Sequence, residues 1–303
     1  MGIYSSITTP TITLLHLLIL FHLSHASSPC RHTCGSIPLQ YPFGTGYGCG
    51  SPRFHPSITC SPDGNLLLLT THTGSYPITS INYASSTLTI SPPFMSTCSS
   101  MHATSTTFGL DWAGPFQLGP SIFVLLSCPP PTSSLTYKSF PVCDTSVNAH
   151  LCLSLYTCPS VLSLGLPLFS PTNTCCVYSP ASLGPKGDLD LQGLRCLGYV
   201  SVLSLGDFPT DANKWKYGIA LKYSQPGFNG FDASVVCGVC EMSEGVCGYV
   251  PPKNYFVCVC KNGANTTTDC YGQEDLCSCA GRQNIITNKC IHFSVFGEVH
   301  HCW

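Results

Sequence analysis

Twenty-two cysteines, spread among glycines and prolines over a 303-residue chain, constrain the fold more than any other feature. Their densest early stretch is CRHTCGSIPLQYPFGTGYGCGSPRFHPSITC, from Cys30 to Cys60, which has no helical period. Glycine and proline interrupt the backbone too often there for long regular elements, so order must come from cross-links and short strands around Ile37, Tyr41, Phe43 and Phe54. All the cysteines follow Ala26 and their number is even, as expected of a chain oxidised in a secretory compartment. Cys30, Cys34, Cys49, Cys60, Cys98, Cys128, Cys175, Cys176, Cys237, Cys240, Cys247, Cys258, Cys260 and Cys270 are the disulfide candidates. The adjacent pair Cys175-Cys176 is expected to bond two distant partners, because an eight-membered ring is strained.

An apolar run from Ile12 to Leu23 followed by Ser24-His25-Ala26 predicts a cleaved signal over residues 1–26 and a secreted, extracellular product. No later stretch is long and apolar enough to span a bilayer, so the mature chain is expected to carry no membrane span. Charged residues make up only 9% of the chain, against about 25% in typical domains. Few ion pairs can form, which leaves stability to disulfides and buried strands. A net charge of −2 offers no electrostatic case for nucleic acid.

Beyond Cys60 the pattern reads as a meander of short strands. Leu66–Thr71, Tyr76–Tyr83 and Leu88–Ile90 are strand-like, with turn chemistry at 61–65 and 73–75. The alternation slips between Ser80 and Ile81, predicting a bulge, and Pro77 predicts an edge position. Phe108, Leu110 and Trp112 alternate, and Ile122–Leu126 is a short apolar run. Cys128 followed by three prolines and Thr132-Ser133-Ser134 reads as a boundary. Val147, Leu151 and Leu155 recur every four residues, consistent with one short helix ended by Pro159. From Trp215 to Tyr223 every odd position is large and apolar, the strongest strand signal in the chain. The fold class is therefore mainly β: small disulfide-rich domains with short antiparallel strands and little helix. The expected organisation is a signal at 1–26, a first cysteine-rich domain at 27–128, a linker at 129–142, a second cysteine-rich domain at 143–279 and a tail at 280–303.

Catalytic signatures are missing: there is no GxSxG or HExxH, and acids such as Asp111 and Asp144 sit in no recognisable frame. No enzyme is expected. Asp188-Leu189-Asp190 could ligate calcium weakly but reads more readily as a solvated turn. Cys237-x2-Cys240 with Cys258-x-Cys260 has ligand types that suit zinc, but a signal segment and the one-residue spacing favour disulfides, so no metal is assigned. His300-His301-Cys302 likewise carries no metal assignment. Asn265-Thr266-Thr267 is an acceptor for N-glycosylation and predicts an exposed loop at Asn265.

The ordered run Cys30-x3-Cys34-Gly35, Ile37, Tyr41-Pro42-Phe43-Gly44, Cys49-Gly50, Phe54 and Cys60, with Tyr76-x-Ile78-x2-Ile81 and Leu88-x-Ile90, resembles the galacturonan-binding extracellular domain of plant wall-associated receptor kinases. A second likeness lies in Trp215, Gly218-Ile219, Cys237-x2-Cys240, Ser243-x-Gly245-x-Cys247-Gly248, Phe256 and Cys258-x-Cys260. That run is similar to the cysteine-rich C-terminal module of the same receptors, which often shows two adjacent cysteines where this chain has Val236-Cys237. A membrane span and kinase follow in those receptors, and neither signature is found here.

The resemblance implies an extracellular protein that binds pectin (homogalacturonan or oligogalacturonides) in the plant cell wall, without catalysis and without a cofactor of its own beyond calcium bridging of a pectate ligand. It also implies a membrane receptor kinase as a candidate partner. The alternative is a decoy or co-receptor, or a truncated receptor ectodomain, without glycan binding. A polyanion calls for cations and stacking rings, so the candidate ligand residues are Arg31, His32, Arg53, His55, Tyr41 and Tyr47. Phe43 is expected in the core. Between Cys30 and Cys128 the fixed charges are Arg31 and Arg53 against Asp63 and Asp111, so any basic face is thin.

Overall fold

The computed structural model describes residues 30–104, 107–137, 139–143, 148–178, 191–224, 233–273, 291–293 and 299–301. The expected signal, Asp144, the Asp188/Asp190 pair, Cys279 and Cys302 lie outside them.

The chain is built of short antiparallel strands, as its alternation predicts. β1 (Thr33–Cys34) and β2 (Ile37–Pro38) form a small ribbon. β3 (Ile58–Cys60), β4 (Leu67–Thr71), β5 (Gly74–Asn82) and β6 (Thr87–Ile90) run as a meander. That meander is extended by β14 (Ile219–Tyr223) and β7 (Phe116–Leu118), giving a six-stranded sheet in the order β3-β4-β5-β6-β14-β7. A second sheet has the order β11 (Cys176–Tyr178), β8 (Ile122–Leu126), β12 (Gly198–Ser204), β13 (Lys216–Tyr217). β15 (Val246–Val250), β16 (Tyr255–Val259) and β17 (Asn265–Thr266) form a third. β9 (Thr136–Tyr137) with β10 (Phe140–Pro141), and β18 (Ile291–Phe293) with β19 (Val299–His301), are short ribbons. Among the described residues the α-helices are α1 (Asn148–Leu155), where the four-residue recurrence predicts one, α2 (Leu191–Leu194) and α3 (Ala233–Met242).

Side chains alternate across a strand, and β8 uses both of its faces. Phe123 and Leu125 enter a core shared with the six-stranded sheet, where Leu69, Ile78, Leu88, Ile90, Phe116, Ile219 and Leu221 are buried. Val124 and Leu126 enter a second core with Leu151, Cys152, Leu155 and Tyr156 from α1 and its C-terminal turn. The middle sheet thus lies between the large sheet and the helical layer. The same alternation explains the adjacent cysteines. Cys175 reaches Cys152 on the helical side, and Cys176 reaches Cys143 on the other, so the pair bonds two distant partners as expected.

Nine disulfides join the described residues, and all fourteen candidate cysteines are among them. Cys143, Cys152, Cys158 and Cys196 complete the pairs. Cys237, Cys240, Cys258 and Cys260 bond to Cys247, to each other (Cys240–Cys258) and to Cys270, so their sulfurs are disulfide sulfurs rather than thiolates.

Several expectations are corrected by the pairing. The bulge lies between Ile78 and Ser80, earlier than Ser80/Ile81. Pro77 is not on an edge strand; it sits where β5 passes from pairing with β4 to pairing with β6, so its missing N–H interrupts neither ladder. Phe108 and Leu110 are buried, but Trp112 swings out in the turn closed by the Gly114 N–H to Asp111 carbonyl bond. The prolines after Cys128 do not divide the sheets: β8 precedes them yet pairs with β11 and β12, and β14 follows them yet pairs with β6. The Trp215–Tyr223 strand is cut at Gly218, with β13 in one sheet and β14 in the other. Gly218 has φ +146°, and a Cβ there would stand 2.7 Å from Thr89 Cγ2 and 3.0 Å from Leu203 Cδ1. Asn265 is exposed as expected, but on edge strand β17 rather than in a loop.

Candidate functional site

The 30–60 stretch is held by Cys30–Cys49 and Cys34–Cys60 and by the seat of one aromatic ring. Phe43, 1% exposed, packs 4.7 Å from Tyr223, 5.1 Å from Phe54 and 6.4 Å from Phe116 between ring centroids. Edge-on and offset contacts of this kind add about 0.5–1.5 kcal/mol each beyond area burial. Phe43 is therefore core, and it fixes where the loops on either side emerge.

The loop after Phe43 is then clamped from outside. Cys49 bridges to Gly248 of β15; the Gly50 N–H donates to the Cys247 carbonyl and the Tyr249 N–H to the Gly48 carbonyl, both at 2.7 Å. A Cβ on Gly248 would lie 2.2 Å from the Gly48 carbonyl oxygen, so the approach needs glycine there. Held in this way, Tyr47 projects with 71% of its surface open and meets His55 edge-on at 6.2 Å. Arg53 is exposed in the adjoining turn, where its N–H donates to Ser51 Oγ at 3.3 Å. Tyr47, Arg53 and His55 therefore share one clamped loop region.

The other candidates are placed differently. Arg31 is exposed and rests against Cys60 Sγ, at 3.6 Å, and against Gly64 in the following turn. His32 is exposed on the side of Glu244, whose carboxylate is paired with Lys261; that ion pair and hydrogen bond hold Glu244 below the ordinary carboxylate range, with a smaller contribution from His32. Tyr41 is the correction. It is 7% exposed and packs with Ala233, Cys237, Cys247 and Tyr249, so its ring offers no face for stacking. Burial pushes its phenol up to about 12, with a hydrogen bond from Ser51 acting the other way. The Tyr41 N–H donates to Glu241 Oε1 of α3 at 2.6 Å. Burial raises the Glu241 carboxyl above its ordinary value, and the Tyr41 bond lowers it in part.

Two residues in this neighbourhood have no counterpart among the predicted ligands. The β15–β16 hairpin, whose first strand clamps the Tyr47 loop, carries Lys253 at its tip with Nζ 5.9 Å from the Tyr255 ring; Tyr255 is 55% exposed. The bridge of Cys49 to Gly248 and the packing of Tyr41 against Cys247 and Tyr249 bring this hairpin to the first module, and no local pattern encodes them. A Lys-Asn-Tyr turn beside exposed aromatics was the available signal. Rings and cations so arranged can stack on sugar faces and pair with carboxylates.

Residues 30–92 match the family model described as wall-associated receptor kinase galacturonan-binding. The match spans both disulfides of the first module and strands β1 to β6. The chain is also 25% identical over 201 residues to wall-associated receptor kinase-like 20 of Arabidopsis thaliana, covering 64% of this chain and 28% of that relative. It thus spans little more than a quarter of the relative's length. No solved structure matches the chain. Among the described residues no helix is long and apolar enough to cross a membrane. The chain therefore carries, at residues 30–92, a segment of the wall-associated receptor kinase galacturonan-binding type, and resembles a wall-associated receptor kinase-like protein over a larger part of its length.

Proposed function

We propose that the chain is an extracellular pectin-binding protein of the plant cell wall, recognising de-esterified homogalacturonan or oligogalacturonides without catalysing their turnover. The match of residues 30–92 to a galacturonan-binding family carries this reading. The clamped loop supports it: Tyr47 offers a stacking ring, and Arg53 and His55 offer donors to uronate carboxylates, with Lys253 and Tyr255 on the neighbouring hairpin. Arg31 and His32 extend the cationic surface toward Gly64 and Glu244. Calcium bridging between the polyuronate and the protein supplements so thin a basic face. The disulfides fit an oxidising, secreted setting.

A role beside a membrane receptor kinase is the second reading, favoured by an exposed apolar stripe on α3 formed by Val235, Val239 and Met242. One titration separates the two. The oxidised protein is titrated with de-esterified oligogalacturonides, with and without calcium, over a salt series. Salt-sensitive binding weakened roughly two- to fivefold by each of Arg53→Ala and Lys253→Ala is expected for exposed ion pairs. Absence of binding at low salt with calcium would eliminate the pectin reading and leave the protein partner.

A further inference from the structure

Trp112 is 86% exposed, the most open large apolar side chain among the described residues. Its position is fixed from both sides. The preceding Phe108 and Leu110 are buried, and Gly114 closes the turn onto the Asp111 carbonyl at 2.9 Å. The tip of the β4–β5 hairpin is stapled to the same loop. The His72 N–H donates to Asp111 Oδ1 at 2.8 Å, and His72 Nδ1 meets the same oxygen at 2.9 Å. Thr73 Oγ1 donates to the Gly109 carbonyl at 3.0 Å and accepts from the Gly109 N–H at 3.1 Å. An indole left open on a loop ordered in advance has already met the entropy cost that a binding loop otherwise incurs with its ligand.

We propose that the Trp112 turn is a carbohydrate contact for an uncharged hexose chain, separate from the loop of Tyr47, Arg53 and His55. The surroundings select the ligand class. Protein-binding tryptophans sit at the centre of apolar patches, whereas Trp112 is flanked in sequence by Asp111, Ala113 and Gly114, on a loop hydrogen-bonded through Gly109 and Asp111 to the polar hairpin tip at His72 and Thr73. A hexose matches this pattern, with a C–H face to lie on the indole and a rim of hydroxyls to meet carboxylate, hydroxyl and peptide groups. A polyuronate does not. Asp111 presents a carboxylate, and His72 Nδ1 is engaged by that carboxylate at 2.9 Å rather than offered to the carboxylate of a ligand. The inference stands independently of the pectin reading.

The test uses the full oxidised chain with cellohexaose, mannohexaose, a xyloglucan heptasaccharide and de-esterified hexagalacturonide, followed by calorimetry and tryptophan fluorescence. At least one neutral oligosaccharide is expected to bind and to shift the emission, with Trp112→Ala weakening it roughly tenfold or more. The melting temperature should be unchanged, since the ring is exposed. Three results would overturn the proposal: no neutral oligosaccharide binding up to about 10 mM, neutral binding that survives Trp112→Ala, or loss of hexagalacturonide binding in that variant. Hexagalacturonide binding by the parent chain is scored separately, so failure of the pectin reading does not affect this outcome.

Discussion

Removing the Cys128–Cys196 bridge with the paired substitutions Cys128→Ala and Cys196→Ala is expected to cost about 4 kcal/mol, more than removing Cys152–Cys175. The first bridge spans 68 residues, and the chain entropy of an open loop of that size is worth about 4.4 kcal/mol. Cys143–Cys176 is nested inside it, however, and shortens the path between the two sulfurs in the oxidised unfolded chain to about 37 residues, lowering the value to about 3.8 kcal/mol. Cys152–Cys175 spans 23 residues, worth about 3.4 kcal/mol alone. Because Cys175 adjoins Cys176, the route through Cys143 is only about 11 residues long, and the value falls to about 2.8 kcal/mol. All four cysteines are buried, so the packing loss is similar in both pairs. Denaturant unfolding without reductant should give the difference of about 1 kcal/mol, and thermal melts should fall by roughly 8–15 °C and 6–11 °C respectively. Equal losses, or a larger loss from Cys152–Cys175, would refute the nested-loop reasoning.

Gly218→Ala is expected to destabilise the chain by about 1–3 kcal/mol, since a side chain at φ +146° is strained and its Cβ would crowd Thr89 and Leu203; a denaturation midpoint equal to that of the parent would count against the sheet crossing at this residue. Glu241→Gln tests the buried carboxyl on α3. Its pKa is raised by burial, so the folded state holds the proton more tightly than the unfolded chain, and the stability this confers is present in acid and is lost as pH rises from the ordinary carboxylate value through the folded one. Glutamine keeps the acceptor for the Tyr41 N–H without the charge. The variant should melt higher than the parent at pH 7.5 and close to it at pH 4, and the opposite order would exclude a destabilising buried carboxylate.

Local pattern carried the strands and left the pairings hidden. Ile122–Leu126 forms the strand its apolar run predicts, and Thr87–Ile90 and Leu67–Thr71 differ from their expected bounds by one residue. Period two persists from Trp215 to Tyr223 across Gly218, so alternation could not show that its halves belong to different sheets. Helix α3 is rich in valine and contains Gly238, which argues against a helix; its place is set by Cys237–Cys247, Cys240–Cys258 and the burial of Ala233. Within the site, Tyr41 and Phe43 look alike in sequence. Tyr41 is covered by α3 and β15, elements some 200 residues away, and a local pattern has no access to that. Tyr47, Arg53 and His55 were legible because they lie within a few residues of one another in a turn-rich stretch.

The insertion of β14 beside β6 bears on the order in which this chain can mature. Ile90 waits for Ile219, and Phe43 waits for Tyr223. During synthesis the first module emerges with its two disulfides within reach of closure, while β6 presents a bare edge and an uncovered apolar face until the later strand arrives. Vectorial synthesis therefore holds a half-finished sheet open for much of translation. Such a chain is a natural client for chaperones that shield strand edges, and folding yield becomes sensitive to substitutions along 219–223 that leave the first module itself untouched.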